Sequence, residues 1–341
     1  MSQPIIECVP NFSEGRNTET LEAIANAVRA VDGVTLLGFE PDADYNRSVM
    51  TFVGSPTAVA EAAFAACSVA SKLIDMTTHK GEHPRMGAID VVPFVPVSNV
   101  TMEECVLVAK SFGARLADEL SIPVYLYEHA ASSPSRANLA AIRKGEYEGL
   151  AQKLEDPEWK PDYGTPAFHP RSGATVTGAR KFLIAYNVNL DTPDQKIAHA
   201  IALRVRESGQ VKRDEAGKPI KDENGKSIKI PGTLKSVKAM GVHLDRHNIA
   251  QVSMNLVDFE VTAMHTAYEE VRKQAAEHHV AVTGSELVGL APLEAFRLAG
   301  RHYAAEPSLT DEQLVDQTVR NLGLDQLDPF DPKKKIIEYM I

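Results

Sequence analysis

The chain has 341 residues, 44% of them hydrophobic and 24% charged, with a formal net charge of −10. This is the composition of a soluble globular protein, and the length suits two subdomains better than one core. The acidic balance, with no extended basic face, weighs against nucleic acid or an anionic membrane as partner.

No apolar run reaches the length of a membrane span. The most apolar one, residues 58–74, is interrupted by Glu61, Ser68, Ser71 and Lys72. Three scattered cysteines make no disulfide framework, and the N-terminus lacks a signal-peptide pattern, so a reduced, cytoplasmic protein is expected.

In chain order, residues 5–9 form a strand closed by Pro10, followed by a loop over 11–16. A helix begins at Asn17 as cap, puts Leu21, Ile24, Ala25, Val28 and Val31 on one face, and stops at Gly33. Strands over 34–39 and 47–53 flank turn chemistry at Asp42 to Asn46. Ser55-Pro56 opens a second helix that runs to about Asp75, and a fourth strand covers 89–95. The order is β-α-β-β-α-β.

An excursion follows. Thr101 and Glu104 have capping-box spacing for a helix to about Leu120. A strand covers 122–127, and 137–150 reads as one charge-rich helix. Residues 155–175, with four prolines and two glycines, are either a linker or a binding loop.

The second half repeats the first, with a strand at 182–190, a helix at 192–207, paired strands at 237–244 and 249–257, a helix at 262–279 and a strand at 280–284. The fold class expected is α+β, with two ferredoxin-like βαββαβ subdomains packed so as to leave a groove between them. The subdomains cover 1–181 and 182–327. Residues 208–235, with turns at Ala216-Gly-Lys-Pro and Glu223-Asn-Gly-Lys, form a polar hairpin insertion. Residues 328–341 form a basic, then apolar tail that docks on the body or meets a second subunit, and a homodimer is expected.

The loop at 79–87 carries most of the chemistry. It holds His79, Lys80, Glu82, His83 and Arg85, punctuated by Gly81, Pro84 and Gly87. His79-x-x-Glu82-His83 spells an inverted zinc-peptidase pattern. That pattern needs a continuous helix, which Gly81 and Pro84 oppose. The second reading is a plain surface loop. The third makes one histidine a proton shuttle near neutral pH. An anionic substrate would then need a local basic cluster, for which Arg47, Lys80, Arg85, Arg180 and Lys181 are candidates.

Three long stretches occur in order: Glu7-Cys-Val-Pro-Asn-Phe-Ser-Glu-Gly15, His79-Lys-Gly-Glu-His-Pro-Arg-Met-Gly87 and Gly173-Ala-Thr-Val-Thr-Gly-Ala-Arg-Lys-Phe182. With Ser285-Glu-Leu-Val-Gly and Ile336-Ile-Glu-Tyr339, they resemble the glutamate formimidoyltransferase family over nearly the whole chain. The resemblance implies transfer of a formimidoyl group from N-formimidoyl-L-glutamate to N5 of tetrahydrofolate, in histidine degradation, with the folate as co-substrate and no metal.

By position, His83 matches the family's catalytic histidine. Gly164, Thr165, Pro166, Ala167, Phe168, His169, Pro170, Arg171, Ser172 and Gly173 match its folate-binding loop. Glu40 falls where the family carries an aspartate. Arg47, Arg85 and Lys181 could hold glutamate carboxylates, Phe168 and Tyr163 could line the pterin site, and Glu40 or Asp42 could face the formimidoyl cation. Transfer from N-formylglutamate, a zinc hydrolase acting through His79 and His83, and folate binding without catalysis are the alternatives.

Overall fold

The computed structural model describes residues 3–214, 217–306 and 308–341, and the chain divides into two compact units, Met1–Lys181 and Phe182–Ile341. In the first unit the elements are β1 (Ile5–Cys8), β2 (Asn11–Phe12), α1 (Thr18–Arg29), β3 (Val34–Asp42), β4 (Arg47–Gly54), α2 (Pro56–Leu73), β5 (Ile89–Ser98), α3 (Met102–Leu120), β6 (Val124–Glu128), α4 (Leu139–Arg143), α5 (Leu150–Glu155) and β7 (Thr175–Ala179). Local chemistry fixes the helix starts. Asn17 accepts from the Thr20 amide, Ser55 accepts from Ala58 ahead of Pro56, and Thr101 and Glu104 close a reciprocal capping box.

The first predicted strand is β1, and the expected loop after Pro10 begins instead with a second short strand, β2; both lie between β4 and β5, antiparallel to each. β3 pairs outside β4, which completes the ferredoxin-like order. The excursion is not a separate layer. β7 pairs parallel to β5, and β6 parallel to β7, widening the sheet to seven strands.

The helices cover one face over a core that includes Ile6, Cys8, Phe12, Ile24, Phe52, Phe94 and Leu116. A second apolar cluster forms from Met86, Val91, Tyr125, Tyr127, Ile142, Leu150 and Val176. The alternating side-chain direction of β5 explains the two clusters. Val92 and Phe94 enter the first, and Val91 enters the second.

The helix expected over 137–150 is corrected to two short ones, α4 and α5, separated by turns. Gly145 and Glu146 have φ of 94° and 55°, outside any helix, and the Lys144 cap is non-helical. The strand over 175–179, inside the third resemblance stretch, was not predicted at all.

The second unit holds β8 (Ile184–Leu190), α6 (Gln195–Val205), β9 (Gln210–Val211), β10 (Lys229–Ile230), β11 (Val237–Leu244), β12 (Ile249–Leu256), α7 (Met264–Glu277), β13 (Val282–Val288), α8 (Leu293–Tyr303), α9 (Asp311–Leu322) and α10 (Pro332–Lys335). Its main sheet runs β11-β12-β8-β13, again the ferredoxin-like order. The polar insertion is a two-stranded ribbon of β9 and β10 with further bridges at Arg213–Pro219 and Lys221–Ser227; Glu215 and Ala216, at one of its predicted turns, lie outside the described residues. The C-terminal segment packs on its own unit. Ile336 pairs with Ala291, and Ile336 and Ile337 are fully buried. Among the described residues no helix is long and apolar enough to cross a membrane.

Candidate active site

Three loops of the first unit interlock around residues 79–87. Asn46, held at φ 47°, accepts from the Gly15 amide and donates to the Lys80 carbonyl, and its own carbonyl meets His79 Nε2 at 3.0 Å. Gly81 passes against the Tyr45 backbone so closely that a Cβ there would fall on the Tyr45 carbonyl. Residues 79–83 are not helical, so His79 and His83 do not share the helix face that a zinc-peptidase pentad requires. His79 is also committed elsewhere. Arg85 Nε donates to its Nδ1 at 3.3 Å, so Nε2 carries the proton given to Asn46.

His83 is half-buried, and its Nε2 lies 2.8 Å from Nη1 of Arg47. A guanidinium only donates, so Nε2 is the acceptor and the ring proton sits on Nδ1. The one backbone group of Pro84 able to bond that ring is its carbonyl, which suits Nδ1–H. Burial, followed by the charges of Arg47 and Arg143, pushes the His83 pKa down to about 4. At neutral pH the imidazole is therefore uncharged and keeps a lone pair on Nε2. Tyr45, 43% exposed, sets its ring edge-on to His83 with centroids 6.1 Å apart.

Arginines surround this ring. Arg47 also reaches Asn11 Oδ1 at 3.4 Å. Arg143 pairs with the buried carboxylate of Asp90, whose other oxygen accepts from the Met86 amide at 2.9 Å. The Nε groups of Arg47 and Arg143 are buried and have no acceptor among the described residues, so both guanidiniums retain unused donor capacity.

Arg85 differs from expectation. It is 6% exposed and engages Glu148 through both terminal nitrogens, at 2.7 and 2.9 Å, and Glu146 at 3.2 Å. This forked pairing spends its charge inside the chain. It thereby ties the loop to residues 146–148.

The 164–173 segment is tied to the same loop. The Met76 amide donates to Arg171 O, Ala88 to Ser172 O, and Ala174 to Met86 O, while Gly87 and Gly173 form an antiparallel bridge. A Cβ on Gly87 would fall on the Ser172 and Ala174 carbonyls, which explains glycine at that position. Gly164, Thr165, Pro166, Ala167, Pro170 and Arg171 are exposed, whereas Ser172 and Gly173 are buried.

The structure separates the roles within this loop. Phe168 packs on Tyr147, with centroids 5.5 Å apart, against the second apolar cluster. His169 accepts from the Ser172 amide. Arg171 reaches Asp75 and the Lys72 carbonyl. Glu40 is exposed on β3, and Asp42 Oδ1 accepts two amides of its own turn. Lys181 is half-buried just past β7.

Sequence reasoning missed Asn11, Asp90, Arg143, Glu146 and Glu148. It also missed Glu7, a carboxylate only 4% exposed in mid-β1, opposite Val53 and Val95. Burial raises the Glu7 pKa to about 7, with Arg180 opposing. A carboxylic acid with a raised folded pKa binds more protons folded than unfolded between about 4.5 and 7, so its contribution to stability falls as pH rises through that window. Glu7→Gln is therefore expected to raise the melting temperature relative to wild type at pH 8 more than at pH 5. Equal shifts at both values would show that Glu7 does not titrate in this way.

Two family models match the chain, "Formiminotransferase domain, N-terminal subdomain" over residues 5–180 and "Formiminotransferase domain" over residues 185–341. The chain belongs to the formiminotransferase family. The formimidoyltransferase-cyclodeaminase of Rattus norvegicus is 52% identical across all of this chain and 60% of that protein, so the chain spans 60% of that relative's length. The glutamate formimidoyltransferases of Streptococcus pyogenes serotype M1 and Thermoplasma acidophilum are 44% and 43% identical over 88% of the chain, covering 93% and 92% of their own lengths.

Proposed function

We propose that this member of the formiminotransferase family transfers the formimidoyl group of N-formimidoyl-L-glutamate to N5 of tetrahydrofolate, releasing L-glutamate, as a cytoplasmic step of histidine degradation and one-carbon metabolism. Tetrahydrofolate is a co-substrate, no metal takes part, and the working form is a homodimer. The observation carrying the reading is the uncharged imidazole of His83, held by Arg47 beside a second under-used guanidinium, Arg143.

Transfer between two amines needs a proton moved from one nitrogen to the other. N5 attacks the formimidoyl carbon and becomes positively charged as the tetrahedral intermediate forms. His83 Nε2 takes that proton and returns it to the glutamate nitrogen. The carbon–nitrogen bond to glutamate then breaks, leaving the formimidoyl group on N5 and a neutral amine on glutamate. Arg47 has two functions in this scheme. A substrate carboxylate is a better acceptor for its guanidinium than an imidazole, so binding of the glutamate moiety draws Arg47 off Nε2 and frees the base. Arg143 then binds a second carboxylate oxygen. The 164–173 segment, fastened to the loop that bears His83, carries the folate.

The test is an assay of tetrahydrofolate with N-formimidoylglutamate and N-formylglutamate in parallel, following glutamate release and the modified folate. Formimidoyl transfer with one glutamate released per folate modified is expected. Preference for the formyl donor would replace the donor assignment, and donor hydrolysis without folate modification would overturn the transferase reading.

A further inference from the structure

Arg143 is the last residue of α4, a helix of five residues. A helix that short is not stable alone, so tertiary contacts set the place of its last residue. Asp90 fixes the guanidinium end of the side chain. The backbone end needs a support of its own, because the chain leaves the helix at once. The Lys144 cap is non-helical, and Gly145 and Glu146 have φ of 94° and 55°. The last carbonyls of a helix also lack intrahelical donors.

Lys153, on α5, supplies the donors. Its Nζ donates to the carbonyl of Ile142, to that of Lys144 at 3.0 Å and, more weakly, to that of Ala141 at 3.5 Å. Between them, the Arg143 carbonyl accepts from the Glu146 amide at 2.7 Å. The same ammonium lies 4.0 Å from the centroid of the Trp159 ring, a cation–π contact. That ring is itself seated. The Trp159 carbonyl accepts from the hydroxyl of Tyr125 on β6 at 2.7 Å, and Arg136 holds the carbonyls of Glu158 and Lys160 at 2.7 and 2.8 Å.

Most lysines keep their charge in water. This one is half-buried, with three carbonyls and an aromatic face as its partners and no carboxylate among them. Burial, followed by the charges of Lys144 and Arg136, lowers its pKa to about 8. Ile142, Leu150 and Leu154 already pack α4 and α5 into the second apolar cluster. What the ammonium adds is a fixed place for the carbonyls on either side of Arg143. We propose that Lys153, seated on Trp159, is a positioning residue for Arg143, holding the end of α4 so that the guanidinium stays beside His83 with its buried Nε left for a substrate carboxylate. The inference rests on Arg143 binding the glutamate moiety and deepens that reading.

Lys153→Met and Lys153→Arg test the assignment. In Lys153→Met, KM for N-formimidoylglutamate is expected to rise by about tenfold with kcat little changed, and Lys153→Arg, which still donates, is expected to keep the wild-type KM. The NMR titration midpoint of His83 is expected to move up from about 4 in Lys153→Met, since Arg143 is among the charges that lower it, and to stay in place in Lys153→Arg. In an Arg143→Met background, Lys153→Met is expected to add nothing to KM, because its effect passes through Arg143. An unmoved KM or an unmoved midpoint in Lys153→Met overturns the proposal, even where the melting temperature falls, because the lysine would then support the fold alone. A further rise of about tenfold in the Arg143→Met background overturns it as well. Lys153→Gln, too short to reach the carbonyls, is read in the same way if the methionine variant does not fold. A wild type without transferase activity would remove the functional reading, while the His83 midpoint would still decide the role of Lys153.

Discussion

His83→Ala is expected to lower turnover by about 10²- to 10⁴-fold, the range attributable to a positioned acid–base group, while changing tetrahydrofolate affinity little. The two effects separate because the ring bonds to Arg47 and faces Pro84 and Tyr45, whereas the 164–173 segment is fixed by its own backbone bonds to residues 76, 86 and 88. Steady-state kinetics with saturating folate and donor, with folate binding measured alongside, checks both halves. Turnover within a few-fold of wild type would discard the shuttle. Loss of folate binding together with turnover would reassign His83 to structure. Restored activity on adding free imidazole would strengthen the assignment.

Arg47→Met is the second large effect expected. It removes a guanidinium proposed to bind a glutamate carboxylate, so KM for N-formimidoylglutamate should rise by about 10- to 100-fold. The same change withdraws the nearest positive charge from His83, so the imidazole pKa should move up from about 4. It should remain below the ordinary value near 6.5, because burial, the largest cause, persists together with Arg143 and Arg85. The other charged groups nearby are partnered. Asp90 holds Arg143, Glu146 and Glu148 hold Arg85, and His79 is neutral between Arg85 and Asn46. An acid limb of kcat/KM that shifts upward in pH is the kinetic signature, since a base must be deprotonated to act. A KM unchanged from wild type would leave Arg47 as a support of the histidine alone.

Much of the fold was legible because its signals are local. The caps at Asn17, Ser55 and Thr101, with the apolar faces behind them, determine three helices without reference to the rest of the chain. The β-α-β-β-α-β order follows from where those helices interrupt alternating segments. What escaped depends on distant partners. Residues 175–179 (Thr-Val-Thr-Gly-Ala) form a parallel strand buried on both faces, whose small residues give no alternation to read. Residues 137–150 have helical composition, but Gly145 and Glu146 turn the chain so that Tyr147 N can bond Arg85 O.

The site divides in the same way. His83 stood out because Gly81, Pro84 and Gly87 prevent a helix around it, leaving an imidazole in a loop longer than a connection needs. The pairing of Arg85 could not be read from the sequence, because its carboxylate partners lie 61 and 63 residues further on. Arg143 was missed for the complementary reason, since Asp90, 53 residues earlier, brings it to the site. Spacing along the chain identifies a titratable group in a loop. It does not say which charges fold back onto that group.

The imidazole at position 83 is uncharged, protonated on Nδ1 and restrained through Nε2 by Arg47. NMR of ring-labelled histidine, assigned by comparison with His83→Ala and recorded across pH, measures this directly. An Nδ1–H tautomer at neutral pH, a titration midpoint near 4 and an upward shift of that midpoint in Arg47→Met are expected. An Nε2–H tautomer, or a midpoint at the ordinary histidine value that Arg47→Met does not move, would contradict this assignment.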